Sequence, residues 1–219
     1  MIRGVLFDMD GLMFDTERLA VDGWMEAARQ LEIPLSREQT MSLRGLLPEV
    51  SRKRFAEWFK DADVYDKGRD IRKAYVEEQI EKYGIPVKKG LYELLEYLRD
   101  HGYHIAVATS TSRESAKRHW ERAGVEQYFE ASVCGSEVKA GKPAPDVFLT
   151  AAARIGCEPG ECLVLEDSPN GVRAGRAAGC VVAMVPDLDQ PDDECRALCD
   201  YVLEDLGKVI PVLESSCKE

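Results

Sequence analysis

The apolar run from Ile2 to Phe7 ends abruptly in charge at Asp8, the pattern of a buried strand. From about Thr16 to Tyr83 the period changes. Ala20, Trp24, Ala27, Ala28 and Leu31 recur at helical spacing, as do Phe55, Trp58 and Phe59, and again Val76, Ile80 and Tyr83. No convincing strand interrupts this stretch, which predicts a small bundle of about four helices. From Gly84 onward helical and strand-like segments alternate. Leu91, Leu94, Leu95 and Leu98 make a helical stripe that Gly102 terminates. A strand over 103–108 follows, then a helix over about 113–123 ending at Gly124. Asp146 is expected to cap a helix that ends near Gly156, and Ser168 to cap one that opens on Pro169 and closes at Gly179. Residues 162–165 and 180–185 are further apolar strands, the second stopped by Pro186. A weaker strand over 201–203 and a last helix complete the pattern.

Strands alternating with helices imply a parallel sheet covered on both faces. The expected fold class is α/β. Residues 1–15 and 84–219 form a Rossmann-like parallel sheet core with helices on both faces, and residues 16–83 form an inserted helical-bundle cap. The chain carries no internal repeat and no low-complexity tract.

Composition narrows the partners. Hydrophobic residues make up 45% and charged residues 32%, so the chain can bury a core and stay soluble. The formal net charge of -11 argues against nucleic acid, whose phosphates require basic surfaces, yet leaves room for a small phosphorylated substrate held by a few local cations. The seven cysteines are odd in number and form no CxxC pair, so buried free thiols in a reducing cytoplasm are expected rather than a disulfide framework. A zinc site is the sharper alternative, opposed by a count of only three histidines and by the lack of ligand spacing. The N-terminal MIRGVLFDMDG has two aspartates within its apolar stretch and reads as neither signal peptide nor membrane span. The expected setting is cytoplasmic, with no membrane partner, and the chain is read as a monomer.

The chemistry is concentrated at strand ends. Alternate residues of a strand point the same way, so Asp8 and Asp10 of Phe7-Asp8-Met9-Asp10-Gly11 converge beyond the first strand. Open α/β sheets place their sites at that carboxyl edge. The pair Glu166-Asp167 also follows an apolar strand and should reach the same edge. Such carboxylates repel one another and call for a cation, and hard oxygen ligands favour magnesium. Any one acid after a strand would be an ordinary solvated turn residue, whereas two pairs at two strand ends make a site. Thr109 and Ser110 follow the strand ending at Ala108 and are open to two readings, phosphate binding or the capping of the next helix. Lys142, alone a surface lysine, supplies positive charge for a phosphate dianion if it joins the carboxylates.

FDMDG at 7–11, VATS at 107–110, GKPAPD at 141–146 and VLEDSPNG at 164–171 together resemble the haloacid dehalogenase superfamily, in its branch of phosphatases and β-phosphoglucomutase-like enzymes with a small helical cap. The resemblance spans the core, with the motifs in the family's order. It implies a magnesium-dependent phosphatase working through an aspartyl-phosphate. Asp8 is implied as the nucleophile and Asp10 as the general acid and base. The metal ligands implied are the Asp8 carboxylate, the Asp10 backbone carbonyl and the Asp167 carboxylate, with Glu166 binding or steadying the ion through water. Thr109, Ser110 and Lys142 are implied to hold phosphoryl oxygens, and Asp15 and Thr16 to form the hinge between core and cap. Arg44, in the cap loop running to Glu49, is implied to meet the substrate. A phosphomutase is the alternative. It is weakened by Ala20 where β-phosphoglucomutases carry histidine, and by a cap loop with no arginine after Arg44. A non-catalytic binding protein on the same fold is opposed by the intact Asp8, Asp10, Lys142 and Asp167 set.

Overall fold

The computed structural model describes residues 1–44, 48–61, 63–188 and 190–216. They divide into two compact units, Met1–Asp15 with Val87–Glu219, and Thr16–Pro86. The first unit is built on six parallel strands: β1 (Gly4–Phe7), β2 (His104–Ala108), β3 (Ala131–Val133), β4 (Cys162–Glu166), β5 (Val181–Met184) and β6 (Tyr201–Val202). Their order in the sheet is β3-β2-β1-β4-β5-β6. In register, Phe7 stands opposite Val107 on one side and Leu165 on the other. The residues that leave β1, β2 and β4 therefore emerge side by side on one edge.

Alternation within each strand divides the core between two faces. Leu6, Ala106, Val164 and Val182 pack with Phe148, Ala151, Val172 and Ala174, which α7 (Asp146–Arg154) and α8 (Pro169–Ala177) contribute. The intervening Val5, Phe7, Ile105, Val107, Leu163 and Leu165 are equally buried, so both faces are covered.

The helices begin and end where local chemistry satisfies their backbone. Among the helices of this unit, α5 (Leu91–Asp100) buries the predicted leucine stripe. In α6 (Arg113–Ala123), Ser112 accepts from the Ser115 amide, and Gly124 closes the helix with φ +65°. In α8, Pro169 occupies the first turn, and Ser168 accepts from the Gly171 amide at 3.1 Å. The last helices, α9 (Asp193–Leu198) and α10 (Val209–Ser216), follow β5 and β6.

The helical unit contains α1 (Thr16–Gln30), α2 (Arg37–Ser42), α3 (Pro48–Phe59) and α4 (Asp63–Tyr83). Trp24, Ala27, Ala28, Leu35, Leu43, Phe55 and Tyr65 form its core, with the Trp24 and Phe55 rings 5.1 Å apart. Burial of a ring such as Phe55 contributes about 2–3 kcal/mol. Packing of α1 on α4 is close because Gly23 and Gly68 leave room: a Cβ on Gly23 would lie 3.0 Å from the Arg72 carbonyl oxygen, and one on Gly68 2.9 Å from the Trp24 ring.

One local expectation is corrected and one strand escaped the pattern. Strand β3 is only three residues long and has no readable period. Pro145, not Asp146, is the N-cap of α7, and Asp146 lies in its first turn, where a carboxylate favours the helix dipole. Tyr83 is exposed and ends the buried stripe of α4 at Ile80. Among the described residues no helix is long and apolar enough to cross a membrane. The six described cysteines are free, and five of them are buried. Burial pushes the Cys162 thiol up to about 12, keeping it protonated. Cys217 lies outside the described residues.

Candidate active site

The end of β1 delivers Asp8 in a fixed place, because its amide still donates to the Leu165 carbonyl of β4 at 3.0 Å. The chain then curls. Met13 and Phe14 donate to the Met9 carbonyl, and Gly11 donates to the Phe14 carbonyl. Gly11 has φ +90°, and a Cβ there would stand 2.2 Å from Asp167 Oδ2. Only glycine allows both the turn and the approach of Asp167.

Glu166, at the end of β4, is 1% exposed. Its Oε2 accepts from the amides of Asp167 and Ser168, both at 3.2 Å, and from the Ser168 hydroxyl at 3.0 Å. A Cβ on Gly171 would fall 1.8 Å from its carboxyl carbon, so the missing side chain makes the space that Glu166 fills. Its other oxygen, Oε1, accepts from Lys142 at 2.5 Å. Lys142 also donates to Asp8 Oδ1 and, at 3.1 Å, to the Ala108 carbonyl. The three protons of one buried ammonium group thus join the ends of β1, β2 and β4.

Asp8, Glu166 and Asp167 form a buried cluster whose ligand oxygens lie within 4.8 Å of one another. Burial pushes Asp8 up to about 8; Lys142 pulls against this, and Glu166 and Asp10 add to it. Burial alone would lower Lys142, but Asp8 and Glu166 outweigh it and hold the group above its ordinary value. A buried carboxyl raised in this way, beside further acids, is held in its charged form by added positive charge. Hard oxygen donors in an acid-rich cluster therefore fit a divalent cation such as magnesium. The Asp10 carboxylate accepts from the Thr111 hydroxyl at 2.6 Å.

Thr109 is 1% exposed and held by its amide on the Val133 carbonyl at 3.0 Å. Its hydroxyl oxygen accepts from the Thr111 amide at 3.0 Å. The helix cap is Ser112, so capping does not occupy Thr109 or Ser110. Ser110 is exposed beside Thr109 at the same edge. Asp15 and Thr16 are the last residue of one unit and the first of the other.

Arg44 belongs to the helical unit, where its Nε donates to Glu17 at 3.1 Å. It lines a hollow of about 300 Å³ walled by Trp24 and Tyr65, which Arg69, Arg72 and Lys73 also line. Of the loop read as running from Arg44 to Glu49, Gly45, Leu46 and Leu47 lie outside the described residues, and Pro48 and Glu49 open α3.

Sequence reasoning missed Thr111, one hydroxyl in Thr-Ser-Thr-Ser, and the seat that Gly171 makes for Glu166. It also missed Arg69, Arg72 and Lys73, although their i, i+3, i+4 spacing places them on one helix face.

The family model of haloacid dehalogenase-like hydrolases matches residues 5–185. A phosphorylated carbohydrates phosphatase of Thermotoga maritima is 31% identical over 180 residues, covering 81% of this chain and 82% of its own. A Drosophila melanogaster protein named "Probable pseudouridine-5'-phosphatase" is 34% identical over 192 residues, covering 83% and 80%. The solved structure of CbbY from Rhodobacter sphaeroides in complex with phosphate has a TM-score of 0.80 at 25% identity, over 95% of this chain and 96% of that one.

Proposed function

The chain belongs to the haloacid dehalogenase-like hydrolase family, and from that premise we propose that this phosphatase hydrolyses a small phosphorylated metabolite, a sugar phosphate or a nucleoside monophosphate, through an aspartyl-phosphate on Asp8. The observation that carries the reading is the buried Asp8 carboxylate, gripped by Lys142 and clustered with Asp167 at the carboxyl edge of the sheet.

An Asp8 oxygen attacks phosphorus, the bond to the leaving oxygen breaks, and Asp10 gives that oxygen its proton. Asp10 then takes a proton from water. The water oxygen bonds to phosphorus, inorganic phosphate leaves, and Asp8 is regenerated. Thr109, Ser110 and Lys142 hold the phosphoryl oxygens, and Glu166 keeps Lys142 aimed at Asp8. Asp8, Asp167 and the Asp10 backbone carbonyl would hold Mg²⁺, with Glu166 reaching it through water. When bound, the ion offsets repulsion between the carboxylates and the phosphate dianion and stabilises charge on the transferring group. Asp15 and Thr16 serve as the hinge, and the Arg44 hollow selects the substrate.

The test is phosphate release from a panel of phosphorylated sugars and nucleotides with magnesium, by wild type and Asp8→Asn. A folded variant slower by about a thousandfold or more is expected. Wild-type release by the variant sinks the nucleophile assignment.

A phosphomutase reading has one observation in its favour. Arg69, Arg72 and Lys73 join Arg44 around one hollow, supplying cations that the loop sequence lacks and that suit a second anionic group. Supplying β-glucose 1-phosphate with catalytic glucose 1,6-bisphosphate separates the two. Glucose 6-phosphate accumulating faster than inorganic phosphate would establish the mutase.

A further inference from the structure

We propose that Thr111 is a positioning residue whose hydroxyl fixes the Asp10 carboxylate for proton transfer; the inference rests on the acid–base role assigned to Asp10 above. Thr111 Oγ1 donates to Asp10 Oδ2 at 2.6 Å, joining the loop after β2 to the loop after β1 across 101 positions of sequence. A carboxylate on one flexible side chain samples several rotamers, and a short hydrogen bond to a rigid donor selects among them.

The donor is rigid because its backbone is tied on both sides. The Thr111 amide donates to Thr109 Oγ1 at 3.0 Å, and the Thr111 carbonyl accepts from the Gly135 amide at 3.4 Å. A Cβ on Gly135 would stand 2.5 Å from the Ser110 carbonyl oxygen, so this turn nests against a residue that has no side chain. The same tie orients Thr109. Its oxygen accepts from Thr111, which leaves its own proton for another acceptor, the phosphoryl oxygen in the proposed mechanism. One turn therefore sets both the phosphate donor and the acid. Losing the Thr111 hydroxyl removes a short hydrogen bond that orients the Asp10 carboxylate, and the acid then meets the leaving oxygen in fewer encounters.

The reaction step reports this loss selectively. As the Asp8–phosphorus bond forms and the bond to the leaving oxygen breaks, 4-nitrophenolate departs with little need of a proton. Phenolate, whose conjugate acid has a pKa of about 10 like that of tyrosine, needs one. The experiment measures kcat/KM of the full chain with Mg²⁺ for 4-nitrophenyl phosphate and phenyl phosphate, in wild type, Thr111→Val, Thr111→Ser and Asp10→Asn. Thr111→Val is expected to lose about tenfold more on phenyl phosphate than on 4-nitrophenyl phosphate. Thr111→Ser, which keeps the hydroxyl, should stay within about threefold of wild type on both. Thr111→Ala takes the place of the valine variant if that one does not fold.

Equal losses on the two substrates, or failure of serine to rescue, overturn the inference. Asp10→Asn separates the two levels of argument. If it too loses equally on both substrates, the acid role of Asp10 fails and the inference falls with it. If it shows the split and Thr111→Val does not, only the role of Thr111 is refuted.

Discussion

Replacing Lys142 by Met tests whether one ammonium group holds three strand ends together. Methionine keeps the length of the stem and its contact with Phe148, above whose ring Lys142 Nζ lies at 5.0 Å. What it removes are the bonds to Asp8, to Glu166 at 2.5 Å and to the Ala108 carbonyl at 3.1 Å. The Lys142 side chain is 8% exposed and that of Glu166 1%, so water cannot replace the lost partner. Breaking a buried ion pair on one side costs roughly 3–5 kcal/mol, or roughly 6–20 °C in Tm for a chain of this size. The assay is urea unfolding at pH 7 in chelator, for Lys142→Met, Glu166→Gln and the double variant. Each single change should destabilise. The double variant should be more stable than the sum of the singles implies, by roughly 2 kcal/mol, because removing both partners leaves less unpaired charge. Additive losses would refute the bridge between Lys142 and Glu166, as would a Lys142→Met variant as stable as wild type.

Glu137→Gln should lose roughly 2 kcal/mol at pH 7. Burial alone would raise the Glu137 carboxyl, but the guanidinium groups of Arg154 and Arg113 and the Cys134 amide overcome it and bring it from 4.5 to about 2. A depressed carboxylate stabilises above its unfolded value and loses that contribution as pH falls from 4.5 to about 2, so the gap to wild type in urea melts should close over that window; a gap independent of pH contradicts the assignment. Gly11→Ala should cost roughly 1–3 kcal/mol in backbone strain and, by displacing Asp167, raise the magnesium concentration needed for half-maximal activity, which a metal titration measures. Arg44→Ala should reorder the substrate panel while leaving 4-nitrophenyl phosphate turnover within about threefold; equal losses on every substrate would place Arg44 in the chemistry or the fold.

The α/β sheet and the place of the candidate site were legible because both depend on local pattern. An apolar run that ends in acid marks a buried strand and its carboxyl edge together. Once the strands are parallel, Phe7 opposite Leu165 brings Asp8 beside Glu166 without further information. Helices such as α6 were legible from Ser112 and Gly124 at their ends. Strand β3 was not, since three residues cannot establish a period of two, and its place is set by pairing with β2.

Functional detail faded wherever a role depends on which of several similar groups a turn selects. Thr109, Ser110, Thr111 and Ser112 offer four hydroxyls in a row. Ser112 caps α6, Thr109 accepts from the Thr111 amide, and Thr111 reaches Asp10. That division follows from the packing of Gly135 against the Ser110 carbonyl, a contact between segments 25 residues apart. Glu166 presents the same limit from the other side. Its acidity and its place after a strand made it a candidate for the metal, and the fold adds that both of its oxygens also accept protein donors. A carboxylate so engaged has a firm hold on Lys142 and, in the proposed site, steadies the ion through water without moving toward it. Its seat is made by the absence of a side chain at Gly171, five positions further on, which no motif around Glu166 itself announces.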